Sequence, residues 1–172
     1  MKEPRTRRSL ALVVSALALS LVLSGCGMLS SMLGGAGDAE RDESGQVTDN
    51  ANIGVFSLKV GDCKMDSGSG SGQISDVDVV PCSQPHDEEV FFEYRMPDGE
   101  FSSDAVDTAS QEQCTGEAFT RFVGMSWQES VLEVYPITPT PQTWEQLNNR
   151  VILCVVFDPS GPTTGSLAGA AR

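Results

Sequence analysis

Four cysteines set the framework of this chain: Cys63, Cys82, Cys114 and Cys154, at spacings of 19, 32 and 40 residues. No C-x-x-C occurs, so neither a zinc knuckle nor a thioredoxin-like dithiol is indicated. An even set without metal-ligand spacing reads as two disulfides in an oxidising compartment. Of the three possible pairings, Cys63 with Cys82 and Cys114 with Cys154 is the expectation. The first closes a short loop at low entropic cost. Loops of these sizes make each bridge worth roughly 3–4 kcal/mol in the chain-entropy model.

A fifth cysteine stands apart. Cys26 ends the run Leu23-Ser24-Gly25-Cys26, which closes the apolar stretch Leu10 to Leu23. Ahead of that stretch lie Lys2, Arg5, Arg7 and Arg8 against the single acid Glu3. A basic head, a short apolar segment and a small-residue exit make a secretory signal. The apolar part is shorter than the ~20 residues of a spanning helix, which weakens the alternative of a permanent anchor helix. Thr6-Arg7-Arg8-Ser9-Leu10 also partly matches a twin-arginine export signal. Leu-Ser-Gly-Cys resembles the bacterial lipobox, whose cysteine takes a diacylglyceryl group and becomes the first mature residue. Two or more acyl chains hold a protein stably where one does not. Residues 1–25 are therefore expected to be a lipoprotein signal peptide and Cys26 the lipidation site. The expected location is the outer face of the cytoplasmic membrane.

Cleavage there takes four of the 11 basic residues and one of the 24 acids, leaving seven bases against 23 acids, a net charge of −16. Such a field excludes nucleic acid as a partner and repels anionic headgroups, so the lipid supplies the attachment. Residues 26–52 are rich in Gly, Ser, Asp and Glu and read as a flexible acidic tether. The folded domain is expected over 53–168, with a disordered tail at 169–172.

Within it, Val55–Val60 and Ile74–Val79 read as strands separated by the loop Ser67-Gly68-Ser69-Gly70-Ser71-Gly72. That loop is neither a nucleophile elbow nor a phosphate loop. Glu89–Arg95 is a third strand, and Pro97-Asp98-Gly99 a turn. A helix starts near Ser103 or Asp104 and stops before Gly124, with Val106, Cys114, Ala118 and Phe122 on one stripe and a kink expected at Thr115-Gly116. Val131–Tyr135 is a fourth strand ended by Pro136, and Gln142–Leu147 a short helical turn carrying Trp144. Arg150–Phe157 is apolar on both faces, the mark of a central strand, with Cys154 at its middle. A helix cysteine facing such a strand fits the Cys114–Cys154 pairing. The fold class is α+β: a small single domain, mainly antiparallel sheet, with one main helix packed on it and two disulfides.

Val60-Gly61-Asp62-Cys63, then Val80-Pro81-Cys82-Ser83-Gln84-Pro85-His86-Asp87-Glu88-Glu89-Val90, Cys114 with Phe122-Val123-Gly124, Pro141, Trp144, Arg150, Cys154 and Thr164-Gly165-Ser166-Leu167 follow one another in this order. This order resembles the actinobacterial septum formation domain family over residues 56–168. Asn148-Asn149 stands where the family pattern has Gly-Asp, a turn substitution. The resemblance implies an exported, membrane-attached protein of the cell envelope with a part in septation. It carries no catalytic residues to transfer.

Pro81, Pro85, His86, Glu89 and Trp144 are therefore read as structural motif residues. His86, the only histidine, has Asp87 to orient it but no nucleophile, and one imidazole among carboxylates is not a zinc spacing. Asp76 and Asp78 lack the pattern of a calcium loop. No catalytic residue, metal or cofactor is expected. The reading is a non-catalytic interaction module meeting an envelope or division protein. The alternative is an envelope-acting hydrolase or metal-dependent enzyme centred on His86.

Overall fold

The computed structural model describes residues 37–66 and 74–172. The signal segment, Cys26 and the whole Gly/Ser loop lie outside the described residues. Among the described residues, eight strands form two sheets. The main one is antiparallel throughout, in the order β1 (Ala51–Gly54), β3 (Asp76–Val80), β2 (Cys63–Lys64), β5 (Glu88–Arg95), β7 (Val151–Phe157), β6 (Glu133–Ile137). The second pairs β4 (Pro85–His86) with β8 (Thr163–Thr164).

The sheet carries core on both faces because β7 is apolar on both. Ile152, Cys154 and Val156 face a cluster with Val106, Cys114, Phe119 and Val123, while Leu153 and Val155 join Ile53, Val77, Val79 and Val90 on the other side. The alternation in β3 puts Val77 and Val79 inside and Asp76 and Asp78 outside. A bulge between Val90 and Phe92 breaks the alternation of β5. It lets Phe91 reach the helix-side core, edge-on to Phe119 with centroids 5.9 Å apart.

The main helix spans 103–123 and breaks at Gly116 into α1 (Ser103–Thr115) and α2 (Glu117–Val123). Its cap is one residue earlier than expected: Ser102 Oγ accepts from Ala105 N at 3.3 Å. A Cβ on Gly116 would stand 2.4 Å from the Glu112 carbonyl oxygen, so only glycine fits the break. Gly124, at φ +93°, is the left-handed stop. Helix α3 (Pro141–Gln146) is capped by Thr140, whose hydroxyl accepts from Thr143 N while Thr143 Oγ1 accepts from Thr140 N.

Four expectations are corrected. Val55–Val60 is not a strand: Val55–Ser57 is a 3-10 turn, and Val55 and Leu58, three apart, both turn into the core. Its place in the sheet goes to β1. Pro136 does not end its strand but sits inside β6, a sheet edge, where its missing N–H costs no ladder bond. The folded unit starts before residue 53. Arg41 and Val47 form an antiparallel bridge, Val47 is 6% exposed within the second core cluster, and Arg41 makes a two-pronged ion pair with buried Asp62. Val47 is a branched side chain within an acidic run, and it anchors that run. Residues 169–172 are not a loose tail either. Gly169 N and Ala171 N donate to the Phe122 and Val123 carbonyls at 2.7 and 2.8 Å, and Arg172 pairs with Asp158 at 2.7 Å.

Candidate functional site

The run from Pro81 to Val90 passes through a tight turn, a short strand and the start of β5. Gln84 N donates to Pro81 O at 2.8 Å and closes the turn. Cys82, partly exposed at that turn, is bonded to buried Cys63 with 5.2 Å between their Cα atoms. Pro85 has no N–H to give and stands opposite Thr164 in the two-stranded β4–β8 sheet, where β4 is an edge. His86 follows, with no exposed surface. Its Nδ1 lies 2.9 Å from the Gln84 carbonyl, which can only accept, so Nδ1 is the donor there. Nε2 is 3.4 Å from Thr163 Oγ1.

The last motif of the chain closes over this one. Cys82 O accepts from Gly165 N at 2.7 Å, and Pro85 and His86 pair with Thr164 and Thr163. Glu89 Oε1 accepts from Ser166 Oγ and Oε2 from Leu167 N, each at 2.7 Å. Burial pushes the Glu89 carboxyl above its ordinary range, while the Leu167 and Ser166 donors and nearby His86 pull it back. So two motifs 77 residues apart form one clasp, in which prolines, histidine, glutamate and disulfide each fix backbone. The second bridge, Cys114–Cys154, joins α1 to the middle of β7 with Cα atoms 5.3 Å apart.

Trp144 lies elsewhere. It is buried, donates from Nε1 to Gly99 O at 2.9 Å, meets Phe101 edge-on at 5.6 Å, and has the Arg150 guanidinium 3.7 Å above its ring. Arg150 donates to the Trp144 and Asn149 carbonyls at 2.8 and 3.1 Å. Among the described residues its Nε has no hydrogen-bond partner; Asp98 stands 3.7 Å away.

Two charged groups escape the sequence reading. Lys64 is fully buried in β2; its ammonium pairs with Glu88 and donates to Met65 O at 3.3 Å. Tyr135 on β6 donates to Glu88 Oε2 at 2.6 Å. The other is Arg41–Asp62. A lysine beside Cys63 in a two-residue strand flanked by β3 and β5 was the signal, legible only once those neighbours are known.

Burial first, and then the bond to Glu88, push the Tyr135 phenol far above its ordinary 10.0. The folded chain then keeps a proton that the unfolded chain loses, so this contribution is full below pH 10.0 and stability falls as pH rises past it. In an alkaline titration followed by phenolate absorbance, the Tyr135 step is expected to coincide with unfolding, and Tyr135→Phe to remove it. A Tyr135 step completed in the folded protein would contradict this.

A groove of about 160 Å³ opens between the 3-10 turn and the β6–β7 edge, with Val55, Phe56, Leu58, Ile137, Val151 and Leu153 on its walls. Phe56 is 63% exposed at its rim. Among the described residues, no helix is long and apolar enough to cross a membrane. A family model described as septum formation matches residues 60–171, which takes in both halves of the clasp, Trp144 and all four disulfide cysteines. No curated protein and no solved structure matches.

Proposed function

The chain belongs to the septum formation family, and from that premise we propose that it is an exported, lipid-anchored, non-catalytic module of an actinobacterial envelope. Its role is linked to septum formation. Cys26 holds it on the outer face of the cytoplasmic membrane, and the folded domain meets an envelope or division protein already there.

The observation that carries this reading is the closure of the clasp. Catalysis needs an acid–base group within reach of a substrate proton. His86 has no exposed surface and both ring nitrogens face protein groups. The most characteristic run of the chain therefore supports a role in shaping the domain, leaving function to its outer surface. The basic head and Leu23-Ser24-Gly25-Cys26 support export and lipidation.

One experiment tests anchoring and partner together. A photo-crosslinking amino acid is placed at position 56 in cells, in the chain with Cys26 and in Cys26→Ser. The first is expected to take palmitate label and to give an adduct with an envelope or division protein. The second is expected to lose label and adduct, and to be released or left unprocessed. Undiminished lipid label in Cys26→Ser would overturn the anchoring. No adduct from position 56 or from the exposed Val131 and Leu147 would overturn the interaction module.

A further inference from the structure

The clasp brings together ligands that the disulfide now masks. Cys63 Sγ on β2, a ring nitrogen of His86 on β4 and a carboxylate oxygen of Glu89 on β5 lie within 4.8 Å of one another, all three residues buried. Cys82 is bonded to Cys63 Sγ and so brings a second sulfur to the same point. Two thiolates, an imidazole and a carboxylate are a donor set that zinc takes tetrahedrally, at roughly 2.3 Å to sulfur and 2.0–2.2 Å to nitrogen and oxygen. Tetrahedral ligand atoms then stand roughly 3.3–3.8 Å apart. The cluster needs to contract by about 1 Å, and the two sulfurs to separate once their bond opens.

The surroundings already do what a shell around a metal does. Nδ1 of His86 faces the Gln84 carbonyl at 2.9 Å and Nε2 faces Thr163 Oγ1 at 3.4 Å, contacts that fix the ring; a cation taken at Nε2 displaces the Thr163 hydroxyl. Glu89 is oriented by Ser166 and Leu167, which occupy two of roughly four lone-pair sites. No lysine or arginine pairs with this buried carboxyl among the described residues. Cys82 is partly exposed, while Cys114 and Cys154 are sealed in the core. A reductant therefore meets the Cys63–Cys82 bridge first.

We infer that reduction of the Cys63–Cys82 disulfide opens a four-ligand site, Cys63, Cys82, His86 and Glu89, for a thiophilic divalent cation of the zinc class. A dithiol supplies two electrons and two protons and leaves as its own disulfide; the S–S bond breaks and two thiols form. The cation then displaces both thiol protons to solvent. This goes beyond the interaction-module reading and does not depend on it.

The test uses the full-length chain carrying Cys26→Ser, so that the two bridges hold all remaining cysteines. Mild dithiol is expected to free two thiols, counted by alkylation. Anaerobic Co²⁺ is then expected to bind one per chain, with a thiolate-to-cobalt charge-transfer band and the intense visible bands of a tetrahedral ion, bleached by Zn²⁺. Ser166→Ala is expected to weaken Co²⁺ binding roughly 10-fold or more, and His86→Asn or Glu89→Gln to weaken it further. Cys63→Ser/Cys82→Ser should give no thiolate band even with the other bridge reduced. A reduced, folded chain without that band overturns the inference, as do bands unchanged in His86→Asn and Glu89→Gln. If reduction unfolds the chain, failure of Co²⁺ and Zn²⁺ to refold it overturns the inference too.

Discussion

Replacing Lys64 by methionine is expected to lower the stability of the domain by about 3–5 kcal/mol, the usual loss when one member of a buried ion pair is removed. The methionine fills most of the space of the lysine stem, so packing is not the main cost. The cost is Glu88, left as a buried carboxylate with the Tyr135 hydroxyl as its remaining side-chain donor. The pair itself is a different matter. Taking both charges out of water offsets much of their attraction, so a well-packed apolar replacement of the whole group is close to neutral. Lys64→Met/Glu88→Leu/Tyr135→Phe is therefore expected to recover most of what Lys64→Met loses. Urea unfolding of the full-length chain measures both, with unchanged slopes as the check that the unfolded state is the same. Equal losses in the single and triple variants would mean that the stem, not the charge, matters. A loss below ~1 kcal/mol for Lys64→Met would mean that water reaches Glu88.

Lys64 also shows where sequence reading ran out. Cys63-Lys64 is too short to display a period, and a lysine there reads as solvent-facing until β3 and β5 are seen to flank it. Arg41 and Val47 failed for the opposite reason: a composition rule over residues 26–52 averaged away the two side chains that bind the segment to the domain. Local rules succeeded where one residue decides the geometry. Gly116 breaks the helix and Gly124 stops it because backbone sterics allow little else there. The apolar run 151–157 could only be a strand covered on both faces, and it is. The clasp was half legible. The run from Pro81 to Val90 and the run Thr164-Gly165-Ser166-Leu167 each stood out, but that Glu89 holds Ser166 and Leu167 is a contact across 77 and 78 residues. No local pattern encodes that separation.

Removing the bridge between α1 and β7 is expected to be the other large loss. Cys114→Ala/Cys154→Ala opens a loop of 40 residues, worth about 4 kcal/mol in the chain-entropy model. Both cysteines are buried in the core cluster that also holds Phe119 and Val156, so the truncation also leaves a void and adds a cavity cost. Domains of this size hold roughly 5–15 kcal/mol in all, which leaves the variant marginal. Cys63→Ala/Cys82→Ala opens a loop of 19 residues, worth about 3 kcal/mol. Cys82 is partly exposed, so less packing goes with it. The ordering is therefore the sharp part: the urea midpoint should fall further for the α1–β7 bridge than for the clasp bridge. Each double variant must unfold in one transition for the midpoints to be compared. The reverse order would mean that the clasp, through His86, Glu89 and the 163–167 segment, contributes more to the fold than the helix-to-sheet brace. In that case opening Cys63–Cys82 would release the C-terminal segment and not merely expose two thiols.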